Sequence, residues 1–195
     1  MTYTIAGVVG FLLFVLYDVN SVLWRKKSLH CGFFAGNVLI IGATIMLIKR
    51  VWNEAFVSMG SILCGLLALF FLGLLIYTLF FALPFGETYQ TMDGRPQVCS
   101  AGVYALCRHP GVLWFFFFYL FLGLSFHSLQ LAGAGMVFSL CNLGYVILQD
   151  IWTFPRSLGG YEEYKKRTPF LIPTKGSLLA CLTTLRERGR KEHEV

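Results

Sequence analysis

The sequence predicts an all-α membrane protein with about five transmembrane helices, and three observations carry that prediction. The 195 residues are 56% hydrophobic and only 13% charged. That is about half the charge of a soluble domain, so lipid is needed as solvent for the apolar surface. The apolar residues fall in long runs of spanning length, divided by short polar intervals. The basic residues gather in those intervals, at Arg25-Lys26-Lys27, Lys49-Arg50, Arg108 and the tail.

Charge and cysteine usage exclude several function classes. The net charge of +6 reads as a topology signal and a match to an anionic leaflet. No basic stripe with interleaved aromatics lies in a soluble segment, so membrane lipids are expected partners and nucleic acid is not. Six cysteines are present, none in a CxxC pair, and Cys64 and Cys141 lie inside apolar runs. They read as small hydrophobes rather than a disulfide framework or a metal site. Met1 to Tyr17 lacks a basic n-region and a small-residue cleavage site, so it reads as a retained first helix.

The first helix is expected over Tyr3–Trp24. Asp18 lies deep in it, either as a functional acid or near the headgroups beside a lysine. The second runs over Cys31–Ile48, where Gly, Ala and Asn37 suit close packing. The third, Val57–Leu83, is stopped by Pro84. Phe85 to Cys107 is the longest polar interval, with Glu87, Tyr89 and an Asp93-Gly94 turn. The fourth helix spans Gly111–Phe126, with Phe115 to Phe118 as lipid-facing bulk. The fifth spans Leu129–Trp152 and is ended by Pro155. Ala132-Gly133-Ala134-Gly135 is packing material, since no strand precedes it. A short interfacial helix is expected at Leu178–Leu185, followed by a charged, frayed tail from Arg186. The organisation is one integral membrane domain: three spans in 1–84, a core in 85–173, and an interfacial segment with tail in 174–195. Basic-residue counting places the C-terminus in the cytoplasm, although Lys49-Arg50 opposes it.

Val98 to Trp114 holds the chemistry. Tyr104, Arg108 and His109 crowd into two turns' length before Pro110, which suits a first helical turn. Arg108 and His109 at a helix start either mark the water–lipid boundary or offer an anion site. The tight link near His127 to Leu129 makes helices four and five an antiparallel hairpin. That hairpin returns Asp150 to the membrane face of Arg108, and Tyr161, Glu163, Tyr164 and Arg167 can fold over the mouth as a cytosolic cap.

On these residues Val98 to Pro173 resembles the membrane methyltransferases of the isoprenylcysteine carboxyl methyltransferase and phospholipid methyltransferase type. The shared passages are Gly102-x-Tyr104-x-x-x-Arg108-His109-Pro110, the acid Asp150, and Tyr161-x-x-Tyr164-x-x-Arg167-x-Pro169. The resemblance implies S-adenosylmethionine as methyl donor and a lipophilic acceptor: a phospholipid amine, a prenylcysteine-type carboxylate, or a small apolar thiol or amine. It implies Arg108, His109 and Asp150 as catalytic, and Tyr104, Arg108, His109, Tyr161, Glu163, Tyr164 and Arg167 as cofactor-binding. Asp150 stands where the family has glutamate, and Val112 and Trp114 where it has tyrosine and glycine. These departures admit a second reading, a catalytically degenerate relative acting as a membrane interaction protein; Asp18, Asn37 and Asn142 within spans suggest a third, a small transporter or channel.

Overall fold

The apolar runs form helices throughout the computed structural model, which describes residues 1–54, 57–82 and 95–193. Helix α1, Thr2–Val19, continues into a π turn, Asn20–Trp24, and α2 is Cys31–Val51. Then come α3, Met59–Phe80, the short α4, Val103–Leu106, and α5, Pro110–Ser125. Helix α6, Leu129–Leu148, passes through a second π turn, Gln149–Thr153, into α7, Phe154–Ser157. Helices α8, Tyr161–Arg167, and α9, Lys175–His193, complete the chain. Among the described residues the only β pairing is one isolated parallel bridge, Gln97 with Gly159.

Among the described residues, four helical stretches are long and apolar enough to cross a membrane: Thr2–Trp24, Lys27–Val51, Met59–Phe80 and Leu129–Ser157. Helix α5 has 16 residues, about 24 Å at the α-helical rise, against a hydrocarbon core of about 30 Å. By length alone, then, four helices qualify where five spans were expected.

The chain divides into two compact units. Unit 1 is Met1–Leu72 with Trp114–Thr153, and unit 2 is Gly73–Leu113 with Phe154–Val195.

Unit 1 is built on close helix approach. The Gly10 and Gly36 backbones meet so tightly that a Cβ on Gly36 would lie 2.7 Å from the Gly10 carbonyl oxygen. Small residues allow such crossings where lipid supplies no hydrophobic drive between helices. Phe11, Phe14, Ile40, Leu47, Leu131 and Phe138 fill the space around it. The α5–α6 link is as short as expected. Ser128 caps α6 by accepting from the Leu131 amide, and His127 takes a left-handed φ of 49°. Gly123 faces Ala132 and Gly135 faces Tyr119, the register of an antiparallel pair. The phenylalanine run is not simple lipid-facing bulk: Phe115 and Phe118 pack on the core, and Phe117 stacks on Phe71 of α3 at 5.0 Å.

Two expectations about chain breaks are corrected. Pro155 does not end the fifth helix. Proline lacks an N–H donor and its ring crowds the preceding turn, and the helix continues because the π turn at Gln149–Thr153 takes up that mismatch. The C-terminal segment is not a short helix with a frayed tail, since α9 runs unbroken from Lys175 to His193. Ser177 and Thr174 bond reciprocally at its start, Thr174 N to Ser177 Oγ at 2.9 Å and Ser177 N to Thr174 Oγ1 at 3.2 Å. Leu83, the Pro84 stop and the turn with Glu87, Tyr89 and Asp93-Gly94 lie outside the described residues.

Candidate functional site

Within unit 2 the two polar passages of the sequence are tied together. Residues 95–98 lie beside Gly159: Gly159 N donates to the Pro96 carbonyl at 2.9 Å, and Val98 N donates to the Gly159 carbonyl at 3.1 Å. Gly160 then turns the chain into α8 with φ 75°, and a Cβ there would meet Gln97 Nε2 at 2.7 Å. Both the left-handed backbone and the crowding call for glycine. This turn aims α8 so that Tyr161 and Tyr164 face inward and are buried, while Glu163 and Arg167 are exposed.

Arg108 joins the passages from the other side. One guanidinium nitrogen, Nη1, donates to the Lys165 carbonyl at 3.1 Å and to the Thr168 carbonyl at 2.8 Å. These are main-chain acceptors left over at the C-terminal end of α8, where a cation is also favoured by the helix dipole. The Arg108 and His109 amides donate to the Pro169 and Phe170 carbonyls at 2.9 and 3.3 Å. The phenols extend the clasp. Tyr164 Oη donates to the Tyr104 carbonyl at 2.6 Å, and Tyr104 Oη donates to the Thr78 carbonyl at 3.0 Å.

Aromatic rings enclose His109. It is buried, stacks on Phe154 at 5.8 Å, and meets Phe170 edge-on at 5.2 Å. Arg108 lies over the same Phe170 ring, 5.5 Å from its centroid. Phe154 in turn contacts Tyr161, and Tyr161 contacts Tyr164. Sequence reasoning missed Phe154 and Phe170. Their only signal is that each adjoins a proline, Pro155 and Pro169, in a stretch otherwise read as connection.

Protonation follows from burial. Burial, with Cys99 nearby, pushes the Tyr104 phenol up to about 12. Burial also raises Tyr164 and takes the Cys107 thiol up to about 11. At neutral pH these groups are hydrogen-bond donors and a neutral thiol, not nucleophiles or bases. On the exposed face of α8, Lys166 Nζ bonds Glu163 Oε1 at 2.7 Å, and that bond holds the Glu163 carboxyl below its usual range. Glu163 and Arg167, four residues apart, present an acid and a cation on one side of one helix.

The structure therefore gathers Tyr104, Arg108, His109, Tyr161 and Tyr164 in unit 2, with Glu163 and Arg167 on the outer face of α8. Asp150 belongs to unit 1, buried in the π turn. Val112 is buried, and Trp114 stacks on Phe71. Among the described residues no three His, Cys, Asp or Glu side chains are grouped to hold a metal ion, and all six cysteines are free thiols.

Among the described residues these features define an all-helical protein with four helices of membrane-spanning length and a polar, aromatic-lined helical cluster. No protein-family model matches the chain, and no characterised protein or solved structure matches it.

Proposed function

We propose that the protein transfers a methyl group from S-adenosylmethionine to a lipophilic acceptor at the cytosolic face of a membrane. In this reading α5 crosses the membrane as a fifth span, the C-terminus is cytoplasmic, and α8 and α9 form the cap. One observation carries it: two passages more than fifty residues apart, which together resemble the methyltransferase motifs, are held against each other by Arg108 and Tyr164.

The chemistry suits such a cluster. Methyl transfer from a sulfonium is an in-line displacement, and positioning with exclusion of water supplies most of the acceleration. The donor's amino-acid end is a zwitterion. Arg167 would take its carboxylate and Glu163 its ammonium on the outer face of α8, with the half-buried Phe170 offering an aromatic face to the sulfonium. A carboxylate acceptor needs no base. A thiol or ammonium acceptor would hand its proton to His109. No role in donor binding is proposed for Asp150.

A second reading, a catalytically degenerate relative acting as an interaction protein, is favoured by one feature. The hydrogen bonds of Tyr104, Tyr164 and Arg108 described above all end on main-chain carbonyls, as in a purely structural clasp. Equilibrium binding of labelled S-adenosylmethionine to the purified chain separates the two. Saturable binding, weakened in Glu163→Gln and Arg167→Ala, supports the enzyme, and absence of binding supports the relative. Mass spectrometry of membrane extracts incubated with labelled donor then identifies the acceptor.

A further inference from the structure

Unit 1 encloses a carboxyl group for which the methyl-transfer reading has no use. Asp18, near the end of α1, has only 4% of its surface exposed. Its Oδ1 accepts from Tyr145 Oη at 3.2 Å, and that phenol accepts from Gln149 Nε2 at 2.8 Å. The Gln149 amide and the Thr153 hydroxyl also lie against the carboxyl. Oδ2 is sealed from solvent and accepts no hydrogen bond. Among the described residues no lysine or arginine pairs with Asp18, whereas the headgroup alternative would require such a pair.

Both framing helices leave α geometry at this level. The π turn Asn20–Trp24 begins two residues after Asp18, and the π turn Gln149–Thr153 carries two of its neighbours. A π turn departs from the regular i→i−4 ladder, and such turns recur at functional sites.

The geometry points to a binding site for a monovalent alkali-metal cation centred on Asp18 Oδ2. The ligands at hand are the Asp18 carboxylate and the Thr153 hydroxyl, hard oxygens that suit alkali cations over softer metals, with the Gln149 side chain beside them. Charge sets the valence. One carboxylate and one monovalent ion make a neutral buried pair, whereas a divalent ion leaves an uncompensated charge in an apolar interior.

The test is thermal unfolding of the purified full chain in nanodiscs of uncharged lipid, with no methyl donor present, so it is independent of the methyl-transfer reading. Choline chloride is replaced by sodium or potassium chloride at constant ionic strength. A saturable rise in Tm with one of the two cations is expected, since a ligand that binds only the folded state stabilises it. The rise should vanish in the near-isosteric Asp18→Asn. Should that variant fail to fold, Gln149→Leu, which keeps the carboxylate, is expected to fold and shift the half-maximal cation concentration upward. Coincident Tm in choline, sodium and potassium would overturn the site and leave the carboxyl as a buried acid. A cation response undiminished in Asp18→Asn, or in Gln149→Leu where Asp18→Asn does not fold, would also overturn it, as would a larger response to calcium.

Discussion

Arg108 commits one guanidinium nitrogen to two carbonyls at the end of α8, and its removal strands both acceptors. Hydrogen bonds to a charged donor contribute about 1.5–3 kcal/mol each, with partial overlap when one nitrogen serves both. Arg108→Ala is therefore expected to lower unfolding free energy by about 3 kcal/mol, read as a drop in denaturation midpoint, and to weaken donor binding with it. Tyr164→Phe removes one bond to the Tyr104 carbonyl, and its expected cost is about 1 kcal/mol. Tyr104 adds a pH signature. Its folded value of about 12 exceeds the ordinary phenol value of 10.0, so above pH 10 the unfolded chain loses its proton first. The contribution is fully present below that pH and is lost as pH rises through the folded value. Stability measured from pH 9 to 12 should fall, and Tyr104→Phe should flatten the fall. Equal slopes in parent and variant would contradict the buried phenol.

At the scale of elements, Gly160 is the hinge between the bridge at Gln97 and the first turn of α8. A left-handed φ with a Cβ costs about 1–2 kcal/mol, and the Gln97 amide would have to move as well. Gly160→Ala should therefore destabilise unit 2 by about 2 kcal/mol, whereas Gly133→Ala, with open space at its Cβ, should leave stability unchanged or slightly raised. The element pattern was largely legible in the sequence. The apolar runs and the Ser128 link announced α1, α2, α3, α5 and α6, because lipid burial demands uninterrupted helices whose backbone groups bond internally. The C-terminal end of the fifth helix and the tail were harder. Pro155 is a helix breaker by local rule, and only the π turn before it shows how the helix absorbs it. Likewise the charged tail gave no apolar period from which α9 could be read.

On the scale of the whole molecule, the low charge of 13% pointed to the membrane class, and the described residues hold four helices of spanning length and apolarity. The paired motifs identified which residues of unit 2 cluster, but not how they bond. A list of Arg, His and Tyr does not reveal that their donors meet main-chain carbonyls, because those acceptors carry no residue identity. Phe154 and Phe170, which frame His109, were invisible for the same reason that any hydrophobe is in an apolar chain. The cytosolic orientation has its own test. An epitope placed after Val195 should react with antibody only after permeabilisation, and reaction at intact cells would reverse the topology.

The most direct measurement is equilibrium binding of labelled S-adenosylmethionine to the purified chain in lipid nanodiscs, with competition by the demethylated product. Saturable, competable binding at physiological donor concentrations, reduced at least tenfold in Glu163→Gln or Arg167→Ala variants that keep the parent's Tm, is the predicted result. Parent protein that binds no donor, or folded variants that bind it as well as the parent, would contradict the proposal that the Arg108 and Tyr164 passages form a methyl-donor site.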